Sequence, residues 1–407
     1  MGPLAGIKVL DLSRVLAGPW ATQALADFGA TVYKIEKPGS GDDTRGWGPP
    51  WLKDTEGRDT REAAYYLSAN RGKHSIAVDL ASAEGQALIG ALAEKCDVFV
   101  ENFKVGGLAK YRLGYPDLAK RNPRLVYCSI SAFGQDGPEA QGAGYDAMIQ
   151  GMGGLMSVTG QPDGSPGAGP QKVGVAVADL MTGMYAVSAI LAALYERTAS
   201  GAGQYIDLAL LDTQVAWLAN QGLNYLVSGR APTRAGNAHP NIVPYQSFAT
   251  ADGYLMLAVG NDRQFATFVG LAGRPELASD ARFATNTERV RHRAVLVPIV
   301  AELLATRTTR AWIDALSAAA VPSGPINTIA EAFAEPQVQH RGMRLDLPHP
   351  LAGTVPQVRN PVLYSRTTLE YTRAPPLLGQ HTDAVLGAEL GLDARALAAL
   401  RGRGVVG

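Results

Sequence analysis

The sequence predicts an α/β protein with a Rossmann-like large domain and a smaller α+β domain. In the first 130 residues, short runs rich in Val and Ile alternate with helical patterns, which is typical of βα units around a parallel sheet. After Gly229 the pattern changes to a hairpin followed by amphipathic helices. A chain of 407 residues is long enough for two such domains.

Five apolar runs define the strands of the predicted parallel sheet, and they lie at 7–12, 31–35, 75–80, 98–101 and 125–130. Helices are predicted over 20–28, which Gly29 would end, and over 83–95, which Ser82 would cap. The most apolar segment, 180–195, has 16 residues, fewer than the ~20 that span a bilayer. We therefore interpret it as a buried helix, followed by a strand over 204–210 and a helix over about 211–226.

The smaller domain is predicted over 230–328. It begins with a hairpin that turns at 251–253, and helical patterns follow between 263 and 316. Residues 1–229 are predicted to form the first part of the large domain, and the segment 329–407 is predicted to return to it and complete it.

Composition excludes several classes of protein. The 37 Lys and Arg residues balance the 37 Asp and Glu residues, whereas a dedicated nucleic-acid binder normally carries a basic excess. Two cysteines exclude a disulfide scaffold and favour a reducing compartment. The first residues lack the pattern of a secretory signal, so a cytoplasmic location is expected.

Common cofactor motifs are missing as well. The first predicted βα turn, 13–19, holds one glycine where the dinucleotide fingerprint needs three, so NAD is not an expected cofactor. The sequence contains no P-loop and no G-x-S-x-G elbow. The six histidines are scattered without the spacing of metal ligands, so no metal site is expected.

Charged residues at two places remain as candidates for chemistry. Residues 104–124 carry six basic side chains and one acidic side chain after the fourth predicted strand, which suits a polyanionic ligand or a solvated helix face. Asp179 opens the most apolar helix. A carboxylate at that position is either an N-cap or a nucleophile for an acyl carbon, kept ionised by the helix N-terminus.

Long blocks of the sequence resemble class III CoA-transferases, the family that includes formyl-CoA transferase and carnitine CoA-transferase. These blocks are PLAGIKVLDLSRVLAGPWATQALADFGATVYKIEKPGSGDDTRGWGPPW, CDVFVENFKVGGLAKYRLGY and VGVAVADLMTGMYA. Further blocks, among them AHPNIVPYQSF, TNTERVRHR and VPSGPIN, resemble in particular the succinyl-CoA:glutarate CoA-transferase branch. The resemblance covers essentially the whole chain.

The resemblance implies an interlocked homodimer in which two subunits are threaded through each other. It places the family's catalytic aspartate at Asp179. The implied reaction moves CoA from an acyl-CoA donor, succinyl-CoA, to a dicarboxylate such as glutarate, itaconate or mesaconate through an aspartyl-CoA thioester. The CoA thioester is then a substrate, and no NAD, metal, nucleic acid or membrane is implied.

The resemblance implies the remaining candidate residues, except Arg45, which is chosen because a second carboxylate favours a positive partner. Contacts to CoA are expected for Arg14, Val15, Lys37, Lys73, Asn102, Phe103 and Lys110. The three lysines would neutralise phosphates, and Phe103 would stack on adenine or fill the core. Contacts to the acyl group or the acceptor are expected for Arg45, Tyr145, Gly260 and Gln264. Arg45 would bind a second carboxylate or form a structural ion pair with Asp42 or Asp43.

Two other reactions stay open as alternatives. The first is a formyl-CoA:oxalate-type transfer, although Leu16 stands where formyl-CoA transferases carry Gln. The second is α-methylacyl-CoA racemisation, for which the family carries Gly-His-Asp where this chain has Gly-Tyr-Asp at 144–146. A tyrosine with an ordinary pKa of about 10 is a poor proton carrier in that role.

Overall fold

The computed structural model describes residues 1–407, which form two compact units. Unit 1 comprises Met1–Leu155, Val173–Leu223 and Gln339–Gly407, and unit 2 comprises Met156–Lys172 and Asn224–Val338. Both ends of the chain therefore belong to one unit. The predicted small domain, 230–328, lies inside unit 2, but the boundaries differ and the segment 156–172 was wrongly placed in the large domain.

Polar contacts explain why that segment belongs to unit 2. The backbone N–H of Gly236 donates to the carbonyl of Gly160 over 3.0 Å. The Arg234 side chain donates to the carbonyl of Gln161 and forms an ion pair with Asp163. The segment 156–172 is thus hydrogen-bonded to chain that follows it by more than sixty residues.

The strands are β1 Lys8–Asp11, β2 Thr31–Glu36, β3 Trp51–Lys53, β4 Asp59–Ala63, β5 Lys73–Ala77, β6 Val98–Glu101, β7 Val126–Ser131, β8 Tyr205–Ala209, β9 Tyr245–Ala249, β10 Tyr254–Ala258, β11 Ser323–Pro325, β12 Arg344–His349 and β13 Gly353–Val358. The helices are α1 Ala17–Asp27, α2 Ala64–Ser68, α3 Ala83–Glu94, α4 Tyr115–Arg121, α5 Asp146–Met152, α6 Leu155–Val158, α7 Val177–Ser200, α8 Leu210–Ala216, α9 Ala219–Ser228, α10 Asp262–Leu271, α11 Asn286–Arg291, α12 Arg293–Leu304, α13 Thr309–Ala318, α14 Ile329–Ala334, α15 Pro336–His340, α16 Thr382–Leu390 and α17 Ala394–Gly402. Short 3₁₀ turns occupy Asp43–Gly46, Ala109–Tyr111 and Pro275–Ala278.

Unit 1 is built on a six-stranded sheet in the order β5-β2-β1-β6-β7-β8, and every neighbouring pair is parallel. The predicted mixed α/β fold with a parallel sheet is therefore confirmed. The chain winds outward from β1 to β5 and then crosses to β6 on the other side of β1. The winding reverses between β1 and β6, and open parallel sheets bind ligands at such a switch point, beyond the carboxyl ends of the strands.

Both faces of this sheet are covered, as its strongly apolar strands require. On one face, Val9 and Val98 pack in a buried cluster with Leu25 of α1 and Ile190 of α7. On the other face, residues of α3 pack with α16 and α17, whose Leu386 and Leu400 lie in the same buried cluster as Leu10 and Phe99. The C-terminal helices thus complete the core that the first strand begins.

Two predicted elements have different bounds in the structure, and other elements were missed. The strand predicted over 75–80 is β5, which begins at Lys73 because Lys73 is already in parallel register with Val32. The helix predicted over 211–226 is divided into α8 and α9, and Ala219 at the break has a positive φ of 46°. The hairpins β3–β4 and β12–β13 were not predicted.

The buried helix predicted over 180–195 is the 24-residue α7. By length and composition α7 could cross a membrane, and half of its most apolar window is buried inside the protein. A core helix of a soluble protein meets the same criteria. Its Gly183 packs so closely on α1 that a Cβ there would lie 2.7 Å from the carbonyl oxygen of Ala17.

Unit 2 contains the antiparallel sheet β11-β10-β9. The predicted hairpin forms β9 and β10, with Ala249 opposite Tyr254. Phe248 and Leu255 of this sheet pack with Phe265 of α10 and Trp312 of α13 in a separate buried cluster.

Candidate active site

Asp179 lies in the first turn of α7, two residues after the helix begins at Val177. The N-cap is Ala176, so the interpretation of Asp179 as the N-cap is wrong. Only 9% of Asp179 is exposed, yet its carboxylate accepts no hydrogen bond from the protein. A nearly buried carboxylate without a donor is rare in a protein core and is typical of a reactive group.

Asp146, the first residue of α5, takes over the capping of α7. Its Oδ1 accepts the backbone N–H of Ala178 over 2.8 Å and that of Asp179 over 3.3 Å. Its Oδ2 accepts Nε2 of the buried Gln150 over 2.7 Å. The amides at the start of α7 are thus used by a second carboxylate and are withheld from Asp179.

This arrangement makes Asp179 a weak acid. Burial, and then the neighbouring charge of Asp146, raise the pKa of Asp179 to about 7. The expectation that the helix N-terminus simply holds this carboxylate ionised is therefore wrong. Near neutral pH the group exists in both protonation states, and its anion is more basic than an ordinary carboxylate.

One aromatic residue, Tyr65, lies near both aspartates. The ring of Tyr65 meets the ring of Trp47 edge-on, with centroids 5.0 Å apart. Burial and the carboxylates of Asp179 and Asp146 raise the pKa of Tyr65, so its phenol lies within the field of both aspartates. Sequence reasoning singled out neither Asp146 nor Tyr65 as a site residue, although Asp146 directly follows the candidate Tyr145.

Four of the predicted CoA contacts come together at the switch point of the sheet. The side-chain amide of Asn102, after β6, bonds the backbone of Arg14, after β1. The Arg14 guanidinium carbon lies 5.7 Å from the centroid of the Phe103 ring. Val15 follows Arg14 in a left-handed conformation with a φ of 70°.

Lys37 and Lys110 are exposed on two different loops. Lys37 directly follows β2, and Lys110 lies in the 3₁₀ turn after β6, with its Nζ 4.7 Å from the centroid of the Tyr111 ring. Both ammonium groups are accessible to an anion in solution.

Lys73, by contrast, is fully buried, so the predicted phosphate contact is wrong. Its Nζ donates to Asp11 Oδ2 over 3.1 Å, to Asn70 Oδ1 over 2.9 Å and to the carbonyl of Pro19 over 2.9 Å. These bonds use all three ammonium protons. Burial lowers the pKa of Lys73 to about 8, and Asp11 opposes that shift.

Arg45 is also buried, and its predicted contact to an acceptor carboxylate is not supported. Its guanidinium forms two bonds to Glu36, of 2.8 and 2.9 Å, and one of 3.0 Å to Glu62. It also donates to the carbonyl of Pro376 and lies 3.7 Å above the Tyr66 ring. The alternative of a structural ion pair is the one observed, with these glutamates in place of Asp42 or Asp43.

The other three acceptor candidates are accessible or partly so. Tyr145 is 67% exposed and immediately precedes Asp146. In unit 2, the N–H of Gly260 donates to Oε1 of Gln264 over 2.8 Å at the start of α10. No group of three or more His, Cys, Asp or Glu side chains is arranged to hold a metal ion.

Comparison with known proteins identifies the family to which this chain belongs. Residues 4–382 match the CoA-transferase family III. A succinate–glutarate CoA-transferase of Agrobacterium fabrum is 54% identical over 388 residues, 95% of this chain and 96% of that protein. A succinyl-CoA:glutarate CoA-transferase of Homo sapiens is 45% identical over 404 residues, 99% of this chain and 90% of that protein.

A solved structure supports the same conclusion. The crystal structure of a CAIB/BAIF family protein from Brucella suis matches with a TM-score of 0.83 at 48% identity, covering 95% of this chain and 99% of that one. The resemblance found in the sequence is therefore confirmed. The chain belongs to the CoA-transferase family III.

Proposed function

We propose that this enzyme transfers CoA from succinyl-CoA to a dicarboxylate, with glutarate as the first candidate, and that Asp179 carries the groups in transit. The observation that supports this proposal most directly is the state of Asp179. It is nearly buried, accepts no hydrogen bond and has a pKa raised to about 7. A carboxylate held in this way is suited to attack an acyl carbon.

The proposed reaction is a series of acyl transfers between the CoA thiol, the Asp179 carboxylate and the two acids. The Asp179 carboxylate attacks the thioester carbonyl, the C–S bond breaks, and a mixed anhydride and CoA thiolate form. The thiolate then attacks the Asp179 carbonyl, which releases succinate and leaves an aspartyl-CoA thioester. The acceptor carboxylate attacks that thioester, and the same steps in reverse give the new CoA ester and free Asp179. Thioester energy is conserved only if water is excluded, which agrees with the burial of Asp179.

The elevated basicity of Asp179 serves both directions of this exchange. An ordinary carboxyl group has a pKa of about 4. The Asp179 anion is consequently more nucleophilic than the acids with which it exchanges. Asp146 contributes by placing a negative charge beside Asp179 while removing two amides that would otherwise stabilise its anion.

The anionic part of CoA is proposed to lie over the carboxyl ends of β2, β1 and β6 in unit 1, the Rossmann-like large domain. The sheet order corresponds to the doubly wound order 3-2-1-4-5-6, for which ligands bind at the central switch point. Lys37 and Lys110 present accessible positive charge on the loops there, and the exposed Arg14 is paired with Asp43. Phe103 provides a ring for adenine on the loop after β6.

The interlocked homodimer and the cytoplasmic location remain part of this proposal. Exposed apolar side chains on α9 support a partner subunit, since Leu226 and Val227 are 73% and 84% exposed. Differently tagged dimers should be mixed and analysed by affinity capture. Threaded subunits should exchange only after unfolding and refolding, whereas exchange in native buffer would contradict the interlocked form.

The activity is tested by mass spectrometry of CoA esters. The protein is incubated with succinyl-CoA and, separately, with glutarate, itaconate, mesaconate, malate, oxalate and formate, and the Asp179→Asn variant is the control. Glutaryl-CoA, or the ester of another dicarboxylate, supports the proposal. Oxalyl-CoA or formyl-CoA alone would favour the formyl-CoA:oxalate-type alternative. Exchange of an α-proton with deuterated water without CoA transfer would favour racemisation. No ester and no mass shift on the Asp179 peptide would overturn the transferase proposal.

A further inference from the structure

The three loops proposed to hold CoA follow strands that are neighbours in the sheet. The turn 13–16 follows β1, the segment 37–46 follows β2, and Asn102 and Phe103 follow β6. Parallel strands at a switch point send their loops in opposite directions, so these loops need connections of their own to form one surface.

The side chain of Asn102 provides one such connection. Its Oδ1 accepts the backbone N–H of Arg14 over 2.9 Å, and its Nδ2 donates to the carbonyl of Arg14 over 2.8 Å. The amide is thus paired in both directions with a single residue across the switch point. These bonds use one lone pair of Oδ1 and one proton of Nδ2, so Asn102 acts on the turn after β1 directly through Arg14.

A buried ion pair provides the second connection. Nζ of Lys34 donates to the carbonyl of Ser13 and to Oδ2 of Asp42, each over 2.9 Å, and both charged side chains are fully buried. Oδ1 of Asp42 accepts the N–H of Thr44 over 3.0 Å and that of Val15 over 3.3 Å. The buried Lys34–Asp42 pair therefore links the turn after β1 to the segment after β2.

Val15 lies between these two connections and carries the strain. Its φ of 70° is a left-handed conformation that β-branched residues rarely adopt, because Cβ then approaches the backbone. Strain of this kind, on the order of 1–3 kcal/mol, persists only where the surroundings determine the conformation. Here the residues before and at Val15 are held by Asn102, Lys34 and Asp42.

We propose that Asn102, Lys34 and Asp42 are positioning residues that hold the Arg14–Val15 backbone in its left-handed turn and thereby shape the CoA-binding surface. This inference rests on the proposed function, because it assigns the turn to CoA. Asn102 then joins the loops after β6 and β1 through its two bonds to the Arg14 backbone. Lys34 and Asp42, which no sequence motif indicated, are buried and contact the backbone of this turn at Ser13 and Val15.

The experiment compares Asn102→Ala with a matched clip elsewhere in unit 1. Asn122 also bonds backbone groups through its side chain, since its Nδ2 donates to the carbonyls of Ala93 and Cys96 and its Oδ1 accepts the N–H of Arg124. It lies before β7, at the opposite end of the sheet. Asn122→Ala therefore removes comparable bonds without touching the proposed surface.

Two readouts separate positioning from general stability. For Asn102→Ala we expect the KM for succinyl-CoA and the Kd for free CoA to rise about 5–30-fold, the equivalent of one or two lost hydrogen bonds. The kcat and the KM for glutarate should stay within about twofold of the unmodified enzyme. Both variants should lower Tm by similar amounts. Asn122→Ala should leave the KM values, the Kd for CoA and kcat unchanged.

A double-mutant cycle tests whether Asn102 acts through Val15. Glycine adopts the left-handed conformation without the Cβ penalty. In the Val15→Gly background, the effect of Asn102→Ala on the Kd for CoA should consequently be smaller than in the unmodified chain. Equal effects in both backgrounds would overturn the link to Val15.

The remaining outcomes distinguish this inference from the proposed function. If Asn102→Ala binds CoA as tightly as Asn122→Ala does, the positioning role is wrong even though the enzyme transfers CoA. If the unmodified protein forms no CoA ester, the proposed function fails, and the Kd for CoA still decides the role of Asn102. Failure to bind CoA in the unmodified protein would overturn both.

Discussion

The carboxylate of Asp146 accepts the backbone N–H groups of Ala178 and Asp179, so one aspartate caps the helix that carries the other. The two residues are 33 positions apart in the sequence. This contact brings a second carboxylate close to a buried carboxyl group and uses the amides that usually stabilise an anion at a helix start. The reactivity proposed for Asp179 depends on that contact as well as on burial.

The first prediction concerns the pH dependence of transfer. Asp179 must be ionised to attack the thioester, so kcat/KM for succinyl-CoA should fall as the pH falls through about 7. Asp146→Asn removes the neighbouring charge and should move this acid limb to lower pH. The shift should be partial, because burial is the larger cause of the raised pKa and is retained.

The matched control for this profile is Asp393→Asn. Asp393 also caps a helix, since it accepts the N–H of Ala396 at the start of α17 over 2.8 Å. Its replacement should leave the acid limb in place. An unchanged limb in Asp146→Asn would show that Asp146 does not set the basicity of Asp179.

The second prediction concerns stability. Folding raises the pKa of Asp179 from an ordinary value of 3.8 to about 7, so the folded state binds a proton that the unfolded state has lost between these values. Stability contributed by this group is therefore lost as the pH rises through that range and stays lost above it. Asp179→Asn should be inactive, yet more stable than the unmodified protein at pH 8, by up to about 4 kcal/mol.

The stability of Asp179→Asn should also be compared with that of the unmodified protein at low pH. At a pH of about 3 the carboxyl group is largely protonated in both states, and the difference in the free energy of unfolding should shrink. Urea unfolding at both pH values measures it. A variant that is less stable than the unmodified enzyme at pH 8 would contradict the raised pKa.

The third prediction concerns the accessible lysines. Lys37→Ala and Lys110→Ala should each raise the KM for succinyl-CoA about 3–10-fold, and the effect should weaken with added salt, because exposed charges are screened. Lys95→Ala is the control, since Lys95 is exposed but precedes β6 at the opposite end of that strand. Steady-state kinetics at two ionic strengths decide the matter, and equal effects of all three substitutions would remove both lysines from the CoA site.

The fourth prediction concerns Arg45. Arg45→Ala would leave Glu36 and Glu62 buried without their partner and should lower the free energy of unfolding by about 3–5 kcal/mol. Arg14→Ala removes an exposed pair with Asp43 and should cost less than about 1 kcal/mol. Urea unfolding compares the two. If Arg45→Lys folded with unchanged stability but raised only the KM for glutarate, the structural role of Arg45 would be wrong.

Much of unit 1 was predictable because its signals are local. The alternation of apolar runs with helical patterns indicated β1, β2, β6 and β7, and Ser82 caps α3 as expected by accepting the N–H of Gly85. Hairpins such as β12–β13 escaped prediction because their strands are short and exposed on one side, so their apolar pattern is weak. The 24-residue length of α7 escaped because its ends are less apolar than its centre.

The residues of the candidate site differ in the same way, because some are indicated by local sequence and others depend on distant contacts. Asp179 could be singled out because a carboxylate at the head of an apolar helix is visible in the sequence. Lys73 and Arg45 have the charge that CoA or an acceptor requires, but their availability depends on Asp11, Glu36 and Glu62. No local pattern reports such partners.

The sequence by itself determined the order of the βα units, the family and the candidate nucleophile, because apolar spacing and contiguous motifs are properties of neighbouring residues. The tertiary structure alone decided which charges remain free. It buried Lys73 and Arg45, left Lys37 and Lys110 accessible, and set Asp146 against the helix of Asp179. The physical reason is that burial and charge pairing arise between segments far apart in the chain, and these contacts fix whether a group is ionised and what it can reach.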